Sequence, residues 1–186
     1  MSVEEFKALA AKPKKVKRKS VNEWLAQFRA TPPAPELTPM DRAIQRDLFE
    51  RHDTAVYAFR VGLAPTANKH WVPFILGRGR KAHASLHLSE EAKAFRQHVA
   101  EAWSLYYAER FTYRPAPLTG KLRLLLVVHP RNAGETDSDN RIKPTQDGLA
   151  FAGVYANDSQ IKSLRVDEGP IVRPHGAIDI IIETLE

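Results

Sequence analysis

Residues 122–160 read LRLLLVVHPRNAGETDSDNRIKPTQDGLAFAGVYANDSQ. Positions 122–128 are apolar apart from Arg123, the pattern of a buried strand, and Pro130 ends it. A polar loop follows, and residues 138–152 predict a helix in spite of Pro144. Two more strands are expected at 160–166 and 177–184. This succession of strand, helix and strands places the chain in the α+β class, with a small mixed β-sheet flanked by helices.

Upstream, residues 55–63 alternate and favour a strand. Ser89 followed by Glu90 and Glu91 opens the clearest helix: Ala92, Phe95, Val99, Trp103 and Tyr106 recur at helical spacing, to about residue 110. This stripe is core or dimer interface. Residues 65–87 carry Asn68, Lys69, His70, Trp71, Arg78, Arg80 and Lys81 with little periodicity. They are expected to form a long basic loop, with short strand pieces at most, and loops of that length in a compact domain tend to be functional.

The first 53 residues differ in texture. Ser2 with Glu5 and Ser20 with Glu23 resemble capping boxes of two short helices, and KPKKVKRK lies between them at 12–19. Thr31-Pro32-Pro33-Ala34-Pro35 is a semi-rigid linker, and Thr38-Pro39 with Asp41 starts a helix reaching about residue 52. The expected organisation is a basic, partly helical N-terminal extension with its linker over 1–53, and one main folded domain over 54–186.

A chain of 186 residues suffices for one domain plus an appendage. At 43% hydrophobic and 27% charged residues, with no apolar run of membrane-spanning length and no secretory pattern, it is expected to be soluble and cytoplasmic. There is no cysteine, which excludes disulfides, thiol nucleophiles and zinc–thiolate sites. A net charge of +6 and a pI near 9.6 favour an anionic partner such as nucleic acid. The candidate contacts are Lys14, Lys15, Lys17 and Arg18 in the extension, and Asn68, Lys69, His70, Arg78, Arg80 and Lys81 in the loop.

Chemistry concentrates in 135–160. Asp137 and Asp139 lie two apart, so an extended backbone points both carboxylates to one side. Carboxylates gathered there repel unless a cation intervenes, and Mg²⁺ suits carboxylate oxygens combined with water and substrate phosphate. On a helix Asp139, Lys143 and Asp147 share one face, which aims the lysine at the metal. There it balances aspartate charge and stabilises a phosphodiester under attack. One or two Mg²⁺ ions, with Mn²⁺ as a substitute, would activate the water.

These residues resemble the RusA-like Holliday junction resolvases. Their signature is read here in Asp137, Asp139, Asn140, Lys143, Asp147 and Asp158-Ser159-Gln160, and the likeness covers about residues 55–186. The resemblance implies a metal-binding catalytic triad of Asp137, Asp139 and Asp158, an essential Lys143, and a homodimer. It implies a RusA-like fold and a Mg²⁺-dependent endonuclease, bacterial or phage-encoded, acting on branched DNA in recombination and repair. Asn140, Asp147 and Asn157 are candidates for contacts behind the metal ligands. Asn157 departs from the family, which usually has an acid there.

Blander readings exist. An isolated Asp-Ser-Asp is usually a turn and helix cap. A calcium loop fits poorly, because Ile142 stands where the sharp-turn glycine belongs. The competing function is a non-catalytic protein binding branched DNA. Nucleotidyl transfer would need a glycine-rich phosphate cradle, which the sequence lacks, so no nucleotide cofactor is expected, and no membrane partner.

Overall fold

The computed structural model describes residues 38–77, 83–135 and 137–186. The two short helices expected before residue 35 lie outside them, as do Lys14, Lys15, Lys17, Arg18, Arg78, Arg80 and Lys81. The elements run α1 (Pro39–Arg51), β1 (Tyr57–Gly62), α2 (Ala67–His70), β2 (Trp71–Leu76), β3 (His83–Leu88), α3 (Glu90–Arg110), β4 (Lys121–His129), α4 (Ile142–Ala152), β5 (Ile161–Glu168) and β6 (Ala177–Leu185). Short 3₁₀ turns at Asp139–Arg141 and Asp158–Gln160 flank α4. This is the expected mixed α+β architecture.

The main sheet has the order β1-β6-β4-β5. β6 runs antiparallel to both neighbours, and β4 and β5 are parallel because α4 carries the chain back between them. On one face Leu122, Leu124, Leu126, Val128, Ile178, Ile180 and Ile182 pack with the α3 stripe and with Leu149 and Ala152 of α4. On the other, Leu48 of α1 meets Ala55, Ala58 and Ile181. Covered on both sides, residues 177–182 of β6 are buried without a break, which explains why all but Asp179 are apolar.

The helix α3 follows the spacing argument. Ser89 Oγ accepts the Ala92 N–H at 3.0 Å, Glu90 and Glu91 favour the positive end of the helix dipole, and the five stripe residues are all buried. Trp103 lies at the centre, edge-on to Tyr57 at 4.7 Å and stacked on Tyr106 at 5.6 Å. α4 tolerates Pro144 because it falls in the first turn, where a missing N–H removes no internal hydrogen bond. Gly153 ends the helix in the left-handed region at φ 72°.

One expectation needs correction. Within this stretch Ala67–His70 form the short α2, and Trp71–Leu76 and His83–Leu88 form an antiparallel β2–β3 pair, matched from Trp71↔Leu88 to Leu76↔His83. It was illegible because Trp71, Val72, Ile75, Leu76 and Leu86 are all exposed, so neither strand has one buried face to impress a two-residue period. Among the described residues no helix is long and apolar enough to cross a membrane.

Candidate active site

Past β4 the chain is fastened by Glu135. Its carboxylate accepts from the Arg131 backbone N–H at 2.9 Å, from Arg131 Nε at 3.0 Å and from the Arg141 guanidinium at 3.0 Å. These hydrogen bonds, Arg131's first, hold its pKa down at about 2 against partial burial. Arg141 is itself buried and also donates to the Ala64 carbonyl at the exit of β1. The loop that presents the aspartates is thus tied to two strands.

Asp137 and Asp139 are both exposed, Asp139 as the first residue of its 3₁₀ turn. Asp137 borders a small hollow with Leu63, Val128, Pro130 and Arg141. Among the described residues neither carboxylate has a hydrogen bond or ion pair of its own. Asn140 is half-buried in the same turn.

One helical turn on, Lys143 Nζ lies 2.9 Å from Asp147 and 2.8 Å from Asp158. The hydrogen bond to Asp158, then that to Asp147, raises its pKa and keeps the ammonium charged. Asp147 faces inward at 14% side-chain exposure, and its other oxygen takes His70 Nε2 at 3.1 Å and Arg96 at 3.3 Å. Burial alone would raise the Asp147 pKa; Lys143, Arg96 and His70 overcome it and leave it low.

Asp158 opens the second 3₁₀ turn. Asn157 caps that turn, accepting the Ser159 N–H at 2.8 Å, while Gln160 Oε1 accepts the Asn157 N–H at 2.9 Å. Gln160 also donates to the carbonyls of Leu118 and Gly120, which pins Asp158 to the start of β4. Asn157, expected behind the metal ligands, serves here as a cap.

His70 was expected among the DNA contacts. It is 1% exposed, and burial lowers its pKa, so the neutral ring donates from Nε2 to Asp147. Its neighbours Asn68 and Lys69 are exposed, as a phosphate contact requires. Sequence reasoning missed Glu135, Arg141 and Arg96. The last meets Asp147 across 51 positions, and no local signal spans that distance.

The sequence model of the family described as Endodeoxyribonuclease RusA matches residues 65–183, which take in the aspartate loop, Lys143 and Asp158. The chain belongs to the RusA endodeoxyribonuclease family. Among curated proteins this RusA-family chain is similar to the crossover junction endodeoxyribonuclease rusA of Enterobacteria phage HK97. The two are 25% identical over 130 residues, 70% of this chain and 96% of the phage protein.

The RusA resemblance implies a divalent metal, and the donor chemistry suits one: Asp137 and Asp139 are exposed carboxylates, Asp137 within the electrostatic reach of Arg141, and Mg²⁺ binds through one or two carboxylates with water and phosphate. The expected gathering of three is a different matter. Among the described residues no group of three or more His, Asp or Glu side chains is placed to hold a metal ion. Asp158 is answered instead by the Lys143 ammonium.

Proposed function

We propose that this protein is a Mg²⁺-dependent endonuclease that hydrolyses phosphodiester bonds in branched DNA and resolves four-way junctions, in recombination and repair in the bacterial cytoplasm. The observation that carries the reading is the Lys143 bridge. One ammonium joins Asp158 to Asp147, and all three residues lie within the stretch that the family model matches.

Asp137 and Asp139 are assigned to the metal, with Asp158 joining them when Lys143 turns to the substrate phosphate. When bound, Mg²⁺, or Mn²⁺ in its place, supplies Lewis acidity at the scissile phosphate and a water of lowered pKa. Lys143 stays protonated and stabilises the charge that develops on the phosphoryl oxygens. Asn68 and Lys69, and the basic residues at 14–18 and 78–81, are assigned to phosphate contacts outside the cut.

Paired cuts in a two-fold symmetric junction call for two matched sites, hence a homodimer. The exposed apolar hairpin supports this, since Ile75 is 75% and Leu86 61% exposed, and a two-stranded arm is marginal by itself.

Four-way junctions, forks and linear duplex, incubated with Mg²⁺ or EDTA, test the proposal. Wild type should cut the branched substrates in Mg²⁺ alone. Asp139→Asn and Lys143→Ala should still bind junctions in EDTA but cut about 100-fold more slowly or worse. Binding without cutting by wild type would favour the non-catalytic alternative, and full-rate cutting by Asp139→Asn would refute the assignment.

A further inference from the structure

The Asp147 carboxylate lies where three helices meet. Lys143 reaches it from one turn earlier in α4, His70 from the end of α2 and Arg96 from α3. His70 is fastened twice, because its backbone carbonyl also accepts the N–H of Ser89, the N-cap of α3, at 3.0 Å. Behind it the chain turns directly into the exposed hairpin at Trp71.

The arrangement is a poor choice for stability alone. His70 Nδ1 and Arg96 Nε are both buried with no hydrogen-bond partner among the described residues. Orphaned polar atoms destabilise a fold, and apolar side chains of similar volume would pack these positions without them. What the buried polar groups do achieve is direction. With Oδ2 taken by His70 and Arg96, Asp147 presents Oδ1 toward Lys143, whose half-exposed side chain also reaches Asp158 and is held from both sides.

We infer that His70 and Arg96 are positioning residues for phosphodiester cleavage: they orient Asp147, and Asp147 in turn holds the Lys143 ammonium where it meets the scissile phosphate. The inference rests on the nuclease reading above and deepens it. Neither His70 nor Arg96 touches DNA in this scheme; their influence passes through one carboxylate. A misplaced ammonium costs rate more than affinity, because it acts on charge that appears only as the phosphate is attacked.

The test compares His70→Leu, which keeps bulk without a donor, with His70→Gln, whose amide can donate to Asp147 as the ring does. Each full-length variant is checked by thermal melting, then assayed for junction affinity in EDTA and for single-turnover cutting in Mg²⁺. His70→Leu should cut about 10- to 100-fold more slowly with affinity within about twofold of wild type, and His70→Gln should recover most of the rate. Arg96→Leu and Arg96→Lys should repeat the pattern should His70→Leu fail to fold.

Folded His70→Leu and Arg96→Leu proteins that cut at the wild-type rate would overturn the inference while leaving the nuclease reading intact. Equal losses in the Leu and Gln variants, in step with their melting temperatures, would reduce His70 to a packing residue and overturn it too. A wild type that cuts no junction in Mg²⁺ would remove the nuclease reading, and the inference with it.

Discussion

Two carboxylates outside the aspartate cluster show how a single side chain sets local stability. Glu135 has its pKa held at about 2, against an ordinary 4.5, so its contribution is complete above about pH 4.5 and disappears as the pH falls toward 2. Arg131 is half exposed, which screens the pair. Glu135→Gln should therefore melt roughly 2–4 °C below wild type at pH 7, worth about 1 kcal/mol, and the two melting curves should converge near pH 2. Asp179 is deeper. Buried on β6, it takes Arg60 at 2.5 and 2.9 Å and His129 at 2.8 Å, and these partners lower a pKa that burial would raise. Asp179→Ala leaves the buried His129 and the half-buried Arg60 without their carboxylate and should cost about 3 kcal/mol, measured as the shift in the urea unfolding midpoint.

At the level of elements, the site depends on how closely α4 approaches α3. Gly148 makes the approach possible: a Cβ there would lie 3.0 Å from Val99 Cγ2 and 3.5 Å from Phe95. Gly148→Leu should destabilise by about 1–3 kcal/mol and, by pushing α4 outward beside Asp147, slow cutting more than it weakens junction binding. Denaturant titration and the cleavage assay read the two effects separately. The stripe of α3 and the strands β4 and β6 were legible in the sequence, because residues such as Phe95, Val99 and Trp103 carry a helical period imposed by one buried face. The β2–β3 hairpin was not, since its strands bury no face of their own within this chain.

For the molecule as a whole, charge and symmetry lead to two expectations. Six of the eight residues at 12–19 are Lys or Arg. Removing residues 1–35 should weaken junction binding and flatten the slope of log affinity against log salt by up to about 5, while metal-dependent cutting persists. An unchanged slope would exclude a phosphate-binding role for the extension. Sedimentation of the wild type should give a dimer, and replacing Ile75 and Leu86 with Lys should yield a monomer that no longer makes paired nicks.

The amino-acid sequence by itself marked out Asp137, Asp139, Lys143, Asp147 and Asp158, the α+β class and the main helix. Each is announced by spacing within a few dozen positions or by a period that a buried face imposes. Only tertiary structure decided which way these groups are held. His70 meets Asp147 across 77 positions, Arg60 meets Asp179 across 119, and Lys143 meets Asp158 across 15. Such contacts depend on how helices cross and strands pair far along the chain, and a local pattern of residues carries no record of that.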